Sequence, residues 1–249
     1  MDYFSPSITV WYRLNKRFLP WRESNDPYII WLSEIILQQT RVEQGIHYFE
    51  KFRKKYPTVL DLANATEQEI LNDWQGLGYY SRARNLHFSA KYIRDELDGV
   101  YPIVYDEIIK LKGIGQYTAA AISSFAFDEE KAVVDGNVYR LLSRVFDIST
   151  PIDSTQGKKE FQSLADELIQ FNKLGAGIHN QAIMELGSQI CTPKKPNCPL
   201  CPLEANCISK MNNTIASRPI KTKKIKVRNR YFHFLIYSSK TSILIEKRV

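Results

Sequence analysis

Four cysteines fall within seventeen residues, Cys191, Cys198, Cys201 and Cys207, in the pattern C-x6-C-x2-C-x5-C, and they are all the cysteines of the 249-residue chain. A disulfide framework does not suit a cytosolic chain of this length. Four thiolates so close in sequence bind either tetrahedral zinc or a four-iron cluster, and both need all four ligands because neither accepts a half-built shell. Zinc ribbons pair two C-x2-C knuckles. Only Cys198-Pro199-Leu200-Cys201 has that spacing, so the pattern leans away from zinc.

Upstream, Leu111-Lys112-Gly113-Ile114-Gly115 places two glycines one residue apart between two apolar-periodic segments. Gly113 and Gly115 there predict a tight αα-turn with φ > 0 and close backbone approach. The helix predicted from Gln116 to Phe127 would then point free N–H groups and the positive end of its dipole outward, which suits a phosphate. An ordinary helix-turn-helix connection fits the same residues. Twenty residues after the turn, a strand-like run leads into Val134-Asp135-Gly136-Asn137-Val138. Asp135 is a good N-cap for a helix running to Phe146, and equally a carboxylate held beside the hairpin's outer face.

A second carboxylate stands out in Asp26-Pro27-Tyr28 through Thr40. Asp26 and Pro27 form a cap and a first-turn proline, and the helix that follows is apolar almost all round and therefore predicted to be buried. Glu34 sits in it with no basic residue within a turn. Either an arginine from elsewhere satisfies it, or burial raises its pKa and leaves it protonated near neutral pH, as a general acid requires. Gln38, Gln39 and Thr40 leave this run with side chains able to hydrogen-bond base edges. Trp21-Arg22 sets a planar aromatic beside a planar guanidinium, an arrangement that can wall a base pocket or serve as core residue and surface charge.

In Gly76-Leu77-Gly78-Tyr79-Tyr80-Ser81-Arg82-Ala83-Arg84 the glycines predict a turn, Tyr79 and Tyr80 can stack or wedge, and Arg82 and Arg84 can reach phosphates. Helices are also predicted over Ile8 to Phe18, Tyr48 to Tyr56, Thr58 to Trp74 with a break at Asn64-Ala65-Thr66, Gly157 to Phe171 and His179 to Ile190. Thr66-Glu67-Gln68-Glu69 has the capping-box pattern. Gln181 and Glu185, one turn apart, read as a solvated face.

The net charge is +7, yet from Lys210 onward eleven Lys and Arg stand against Glu246 alone, so residues 1–209 carry −3. Bulk charge therefore does not make the core a nucleic-acid binder, and local clusters must do so. Lys194 and Lys195, in the loop between the first two cysteines, form one such cluster. Neither a signal-peptide core nor an eighteen-residue apolar run is present, which predicts a cytoplasmic, nucleoid-associated protein without membrane contact. Residues 213–230 read as a basic linker and 231–249 as a β-hairpin around Ser238-Ser239-Lys240-Thr241.

Taken together, the hairpin, Asp135, the cysteine spacing, SEIILQQT and GLGYYSRARN resemble the MutY-type adenine DNA glycosylases of the helix-hairpin-helix, endonuclease III superfamily, over about residues 4 to 225. The resemblance implies a mainly α, two-lobed glycosylase fold. Residues 23–134 would form a six-helix barrel domain, and 1–22 with 135–212 an iron-sulfur domain. The cysteines would hold a [4Fe–4S] cluster, and residues 231–249 would begin a Nudix-like domain that here stops short. It further implies a bacterial, monomeric enzyme acting on duplex DNA with adenine opposite 8-oxoguanine or guanine. Glu34 would protonate adenine, and Asp135 would oppose the sugar cation as counter-ion or transient covalent partner. Tyr117 and Asn137 would support them, Trp21, Arg22 and Gln181 would line the base pocket, and Gln39 with Tyr79 would wedge the duplex. Two rival readings are an endonuclease III-like pyrimidine-lesion glycosylase/lyase and a non-catalytic DNA-binding remnant. The first needs an amine nucleophile, and the sister family's lysine is replaced here by Tyr117.

Overall fold

The computed structural model describes residues 1–222, 229, 231 and 235–244. Its helices run α1 Phe4–Asn15, α2 Pro27–Leu37, α3 Val42–Lys55, α4 Val59–Asn64, α5 Glu67–Asp73, α6 Ser81–Glu96, α7 Tyr105–Ile108, α8 Gln116–Phe127, α9 Gly136–Val145, α10 Thr155–Gln170, α11 Ala176–Gln189 and α12 Ile208–Met211. Local chemistry explains most of these ends. Asp26 Oδ1 accepts from the Tyr28 N–H at the start of α2, and full capping boxes close Thr58 on Asp61 and Thr66 on Glu69, as Thr66-x-x-Glu69 predicts.

Several predicted bounds move. The first helix begins at Phe4 rather than Ile8 and ends at Asn15, because Pro6 lies in its first turn, where proline is tolerated. The third begins at Val42, six residues before the expected Tyr48, and runs through Gly45. A Cβ at Gly45 would lie 2.6 Å from the Leu37 side chain, so this glycine serves close packing of α2 on α3. The strand-like run before Asp135 is extended chain without a sheet partner among the described residues.

Two hydrophobic cores result. One gathers residues from Leu19 to Ile122 around Trp31, Trp74, Phe49 and Phe52. The other joins Phe4, Ile8 and Tyr12 of α1 to residues 120–203, with Phe161, Leu168 and Leu186 at its centre. Helix α8 belongs to both: Ala119 and Ile122 pack in the first and Ala120 and Ala121 in the second. Its small side chains let α2 and α11 approach it from opposite sides. Helix α8 thus contributes to both cores from within the span 23–134 that the sequence reading gives to the barrel domain.

The predicted C-terminal hairpin is partly described: Ser239 N–H donates to Ser242 O (2.8 Å) and Leu244 N–H to Tyr237 O (3.0 Å). Residues 223–228, 230, 232–234 and 245–249 of the predicted linker and hairpin lie outside the described residues. Among the described residues no helix is long and apolar enough to cross a membrane.

Candidate active site

A cavity of about 310 Å³ opens between the two cores, lined in part by Trp21, Arg22, Glu34, Gln38, Thr40, Tyr117, Asp135, Asn137, Gln181 and Glu185. Residues from 21 to 185 thus meet because α2, α8, α9 and α11 converge there. Glu34, near the end of α2, is 9 % exposed. Burial pushes its carboxyl up to about 7; the nearby Tyr117 hydroxyl and the charge of Arg22 work against this, and the charge of Asp135 adds to it, while the Tyr117 hydroxyl itself donates to Met184 Sδ (3.9 Å). The Tyr117 hydroxyl is itself raised well above its ordinary value, by burial and by the two carboxylates. No lysine among the described residues lines the cavity.

Asp135 is at once N-cap and site residue. Its Oδ1 accepts from the N–H groups of Asn137 and Val138, and its Oδ2 from the Asn137 side-chain amide, all at 2.8 Å. Three donors hold the carboxylate at one orientation. The chain of contacts continues, for Arg140 donates to Asn137 Oδ1 (2.8 Å), Cys191 O and Gly187 O (2.6 Å each). Two side chains, Asn137 and Arg140, therefore link the first cysteine's backbone to Asp135. Replacing Arg140 by Gln is expected to destabilise the chain by about 2 kcal/mol, because charged hydrogen bonds to carbonyls are lost, and to slow base release as Asp135 loses its orientation. An unchanged denaturation midpoint together with an unchanged single-turnover rate would rule this coupling out.

Glu185 corrects the sequence reading. It is 1 % exposed rather than solvated, and its carboxylate accepts from Arg17 Nε (2.8 Å), Arg17 Nη2 (2.9 Å) and Arg22 Nη2 (2.8 Å). Burial alone would raise its pKa, but the two arginines outweigh that and hold it at about 2. Arg22 is fixed by this pair and lies over the Tyr12 ring, 5.5 Å from its centroid, and Tyr12 Oη donates to Gln181 Oε1 (2.5 Å). Arg17 and Glu185 are pocket residues that the sequence reading missed. The available signal was an acid on the buried helix α11 one turn from Gln181.

Gln39, Arg84, Lys194 and Lys195 are exposed, and so is Tyr79 at 64 %; none of these five is among the residues that line the cavity. Arg84 has Glu67 at 3.2 Å. Arg82 departs from the expected phosphate contact: it is 8 % exposed and turned inward onto backbone carbonyls. In the hairpin, Gly113 has φ +86°, and a Cβ there would meet Asn85 Cβ at 2.7 Å. Gly115 instead is extended, at φ −100°, with open space where a Cβ would be, so its role is to leave the N-terminus of α8 uncovered.

The four cysteines line one small cavity with Leu141, Val145 and Ile190. Burial first, and then the nearness of the other three thiols, pushes Cys201 up to about 12. Arg144 Nη1 lies 3.4 Å from Cys191 Sγ and donates to Thr192 O (2.7 Å). No three His, Cys, Asp or Glu side chains among the described residues converge tightly enough to hold a single metal ion.

The model of the HhH-GPD superfamily base excision DNA repair proteins matches residues 32–169, more than half of the chain. The chain belongs to this superfamily. Its relatives include the adenine DNA glycosylase of Buchnera aphidicola subsp. Baizongia pistaciae, 38% identical over 98% of this chain and 69% of that protein. The human adenine DNA glycosylase is 41% identical over 82% of this chain and 39% of its own length. Among solved structures, a thermostable thymine-DNA glycosylase superposes with a TM-score of 0.76 at 30% identity, covering 84% of this chain and 95% of that one. A trapped endonuclease III–DNA covalent intermediate superposes at 0.71 with 22% identity, over 85% and 96%, and shows the shared fold. As an HhH-GPD protein, the chain is a DNA glycosylase.

Proposed function

We propose that this glycosylase removes adenine from duplex DNA where it faces 8-oxoguanine or guanine, by hydrolysis and without a lyase step. The observation that carries this reading is Glu34, a buried carboxyl held near pKa 7 across one cavity from the ordered Asp135 carboxylate. The adenine DNA glycosylases among the relatives support the choice of base.

The chemistry follows from the two environments. The target base leaves the stack to reach a cavity this far between the cores. Protonated Glu34 gives its proton to adenine N7, and the C1′–N9 bond breaks with its electrons passing to the base. Asp135, which remains an acceptor for three fixed donors, faces the oxocarbenium-like sugar. Glu34, now ionised, takes a proton from water as the oxygen adds to C1′, and free adenine and an abasic site result. This is the division of labour between two carboxyl groups in glycoside hydrolysis. Tyr117 lies beside Glu34, and Asn137 orients Asp135.

The four thiols line one small cavity with apolar neighbours, a donor set whose chemistry suits an iron–sulfur cluster. Cys191, Cys198, Cys201 and Cys207 would hold a [4Fe–4S] cluster, a type known in this superfamily, whose contribution there is to hold the loop bearing Lys194 and Lys195. Protein purified without chelators is expected to be brown and to carry iron and inorganic sulfide in equal amounts, with both lost in Cys198→Ser; colourless, zinc-loaded protein would exclude the cluster.

Single-turnover release from duplexes with adenine opposite 8-oxoguanine, guanine or thymine tests the function. Release from the first two is expected. An adduct trapped by borohydride would instead support the pyrimidine-lesion lyase reading, and no release by folded protein would leave a DNA-binding remnant.

A further inference from the structure

Gln39 and Tyr79 both have left-handed backbones, Gln39 at φ 57° just after α2, between the cavity-lining Gln38 and Thr40, and Tyr79 at φ 46° just before α6. Such a conformation is unfavourable for a side chain with a Cβ, and more so for a bulky ring, so surrounding contacts must hold it. Both side chains project into solvent, Tyr79 at 64 % exposure.

One buried group holds both. Arg82 Nη1 donates to Ile35 O (2.9 Å), Ile36 O (3.0 Å) and Gln38 O, while Nη2 donates to Leu77 O (3.3 Å) and Gly78 O (3.4 Å). The guanidinium therefore binds the carbonyl immediately before each left-handed residue. It lies over the Trp74 ring at 5.1 Å and the Tyr79 ring at 5.8 Å, and the Trp74 indole donates to Gly78 O as well (3.0 Å). No carboxylate among the described residues pairs with it. Its counter-charge is the negative end of the α2 dipole, whose last carbonyls it caps, and α2 is the helix that carries Glu34. Lysine cannot reproduce a planar fork that reaches two loops at once.

We propose that Arg82 is a positioning residue that makes Gln39 and Tyr79 one two-pronged element, so that entry of either side chain into the duplex depends on the other. This rests on the glycosylase reading above, because the prongs need a base to displace. The same guanidinium fixes the end of α2, so the prongs and the acid keep one spacing.

The test is a double-mutant cycle on the full chain, reading fluorescence of 2-aminopurine placed at the target position opposite guanine, which rises on unstacking and needs no bond cleavage. With Arg82 present, Gln39→Ala and Tyr79→Ala are each expected to lower the extrusion constant about tenfold, and the double variant to fall no further, a departure from multiplicative behaviour typical of groups in one network. In Arg82→Lys the two effects multiply. Multiplicative effects with Arg82 present, or a cycle that Arg82→Lys leaves unchanged, would overturn the proposal. If thermal melting shows Arg82→Lys unfolded, the native cycle still decides the coupling. Trp74→Phe, which removes the indole bond to Gly78 O, is then expected to weaken that coupling, and no weakening would overturn Arg82's part in it. Absence of extrusion by the unmodified chain would instead count against the glycosylase reading.

Discussion

Glu34→Gln is expected to slow single-turnover adenine release by about 10²–10⁴-fold, the range for loss of a positioned general acid, and at the same time to stabilise the protein above pH 7. The two effects share one cause. Burial raises the Glu34 carboxyl from 4.5 to about 7, so the folded chain binds this proton more tightly than the unfolded chain. The resulting stability is fully present below about pH 4.5 and is lost as pH rises through about 7. At pH 8 the native protein must therefore hold a charged group in an apolar helix, at a cost on the order of 3 kcal/mol, and glutamine does not carry this cost. The melting temperatures of the two proteins should converge near pH 4.5 and separate toward pH 8, with the variant higher. The release rate of the native chain should fall as pH rises through about 7. A variant less stable than native at pH 8 would mean that the fold favours the ionised Glu34, so that its pKa is not raised and it cannot be the acid.

Asp135→Asn is expected to lower release by about 10²–10³-fold, as for loss of one preorganised electrostatic contact, with little change in stability. Asparagine caps a helix nearly as well as aspartate, and its side-chain oxygen can still accept from the Asn137 and Val138 N–H groups that Asp135 Oδ1 now serves. The substitution leaves the cap and removes the charge together with the Oδ2 acceptor of the bond from the Asn137 amide. Equal losses of stability and rate would show that the residue acts as a cap alone. Release at native rate by a fully folded variant would remove Asp135 from the reaction.

What could be read from the sequence follows a physical divide. Glu34 was legible because its isolation is local: eleven residues of α2 contain no basic group, and an apolar helix has to be buried. Asp135 was legible as a cap, and Thr66-x-x-Glu69 as a helix start, because such hydrogen bonds span three residues. Glu185 was not, since its partners Arg17 and Arg22 lie more than 160 residues away and only the packing of α1 on α11 brings them together. Arg82 misled for a related reason. An arginine beside tyrosines and glycines reads as a phosphate contact, and nothing local reveals that the end of α2 supplies carbonyls for it. The sharing of α8 between the two cores was hidden too, because a helix buried on all sides has no polar face to mark which side belongs where.

That shared helix has a mechanical consequence. A cleft whose walls are separate bodies can open and close around a ligand, but here one helix is rooted in both walls, Ala119 and Ile122 in the first and Ala120 and Ala121 in the second, so hinging would pull alanines out of one core or the other. The spacing of the two carboxyl groups, carried by α2 and by the start of α9, is thereby tied to the packing of α8. If the walls keep their spacing, the bending needed to bring base and cavity together falls on the double helix, and release is expected to depend on local duplex stiffness.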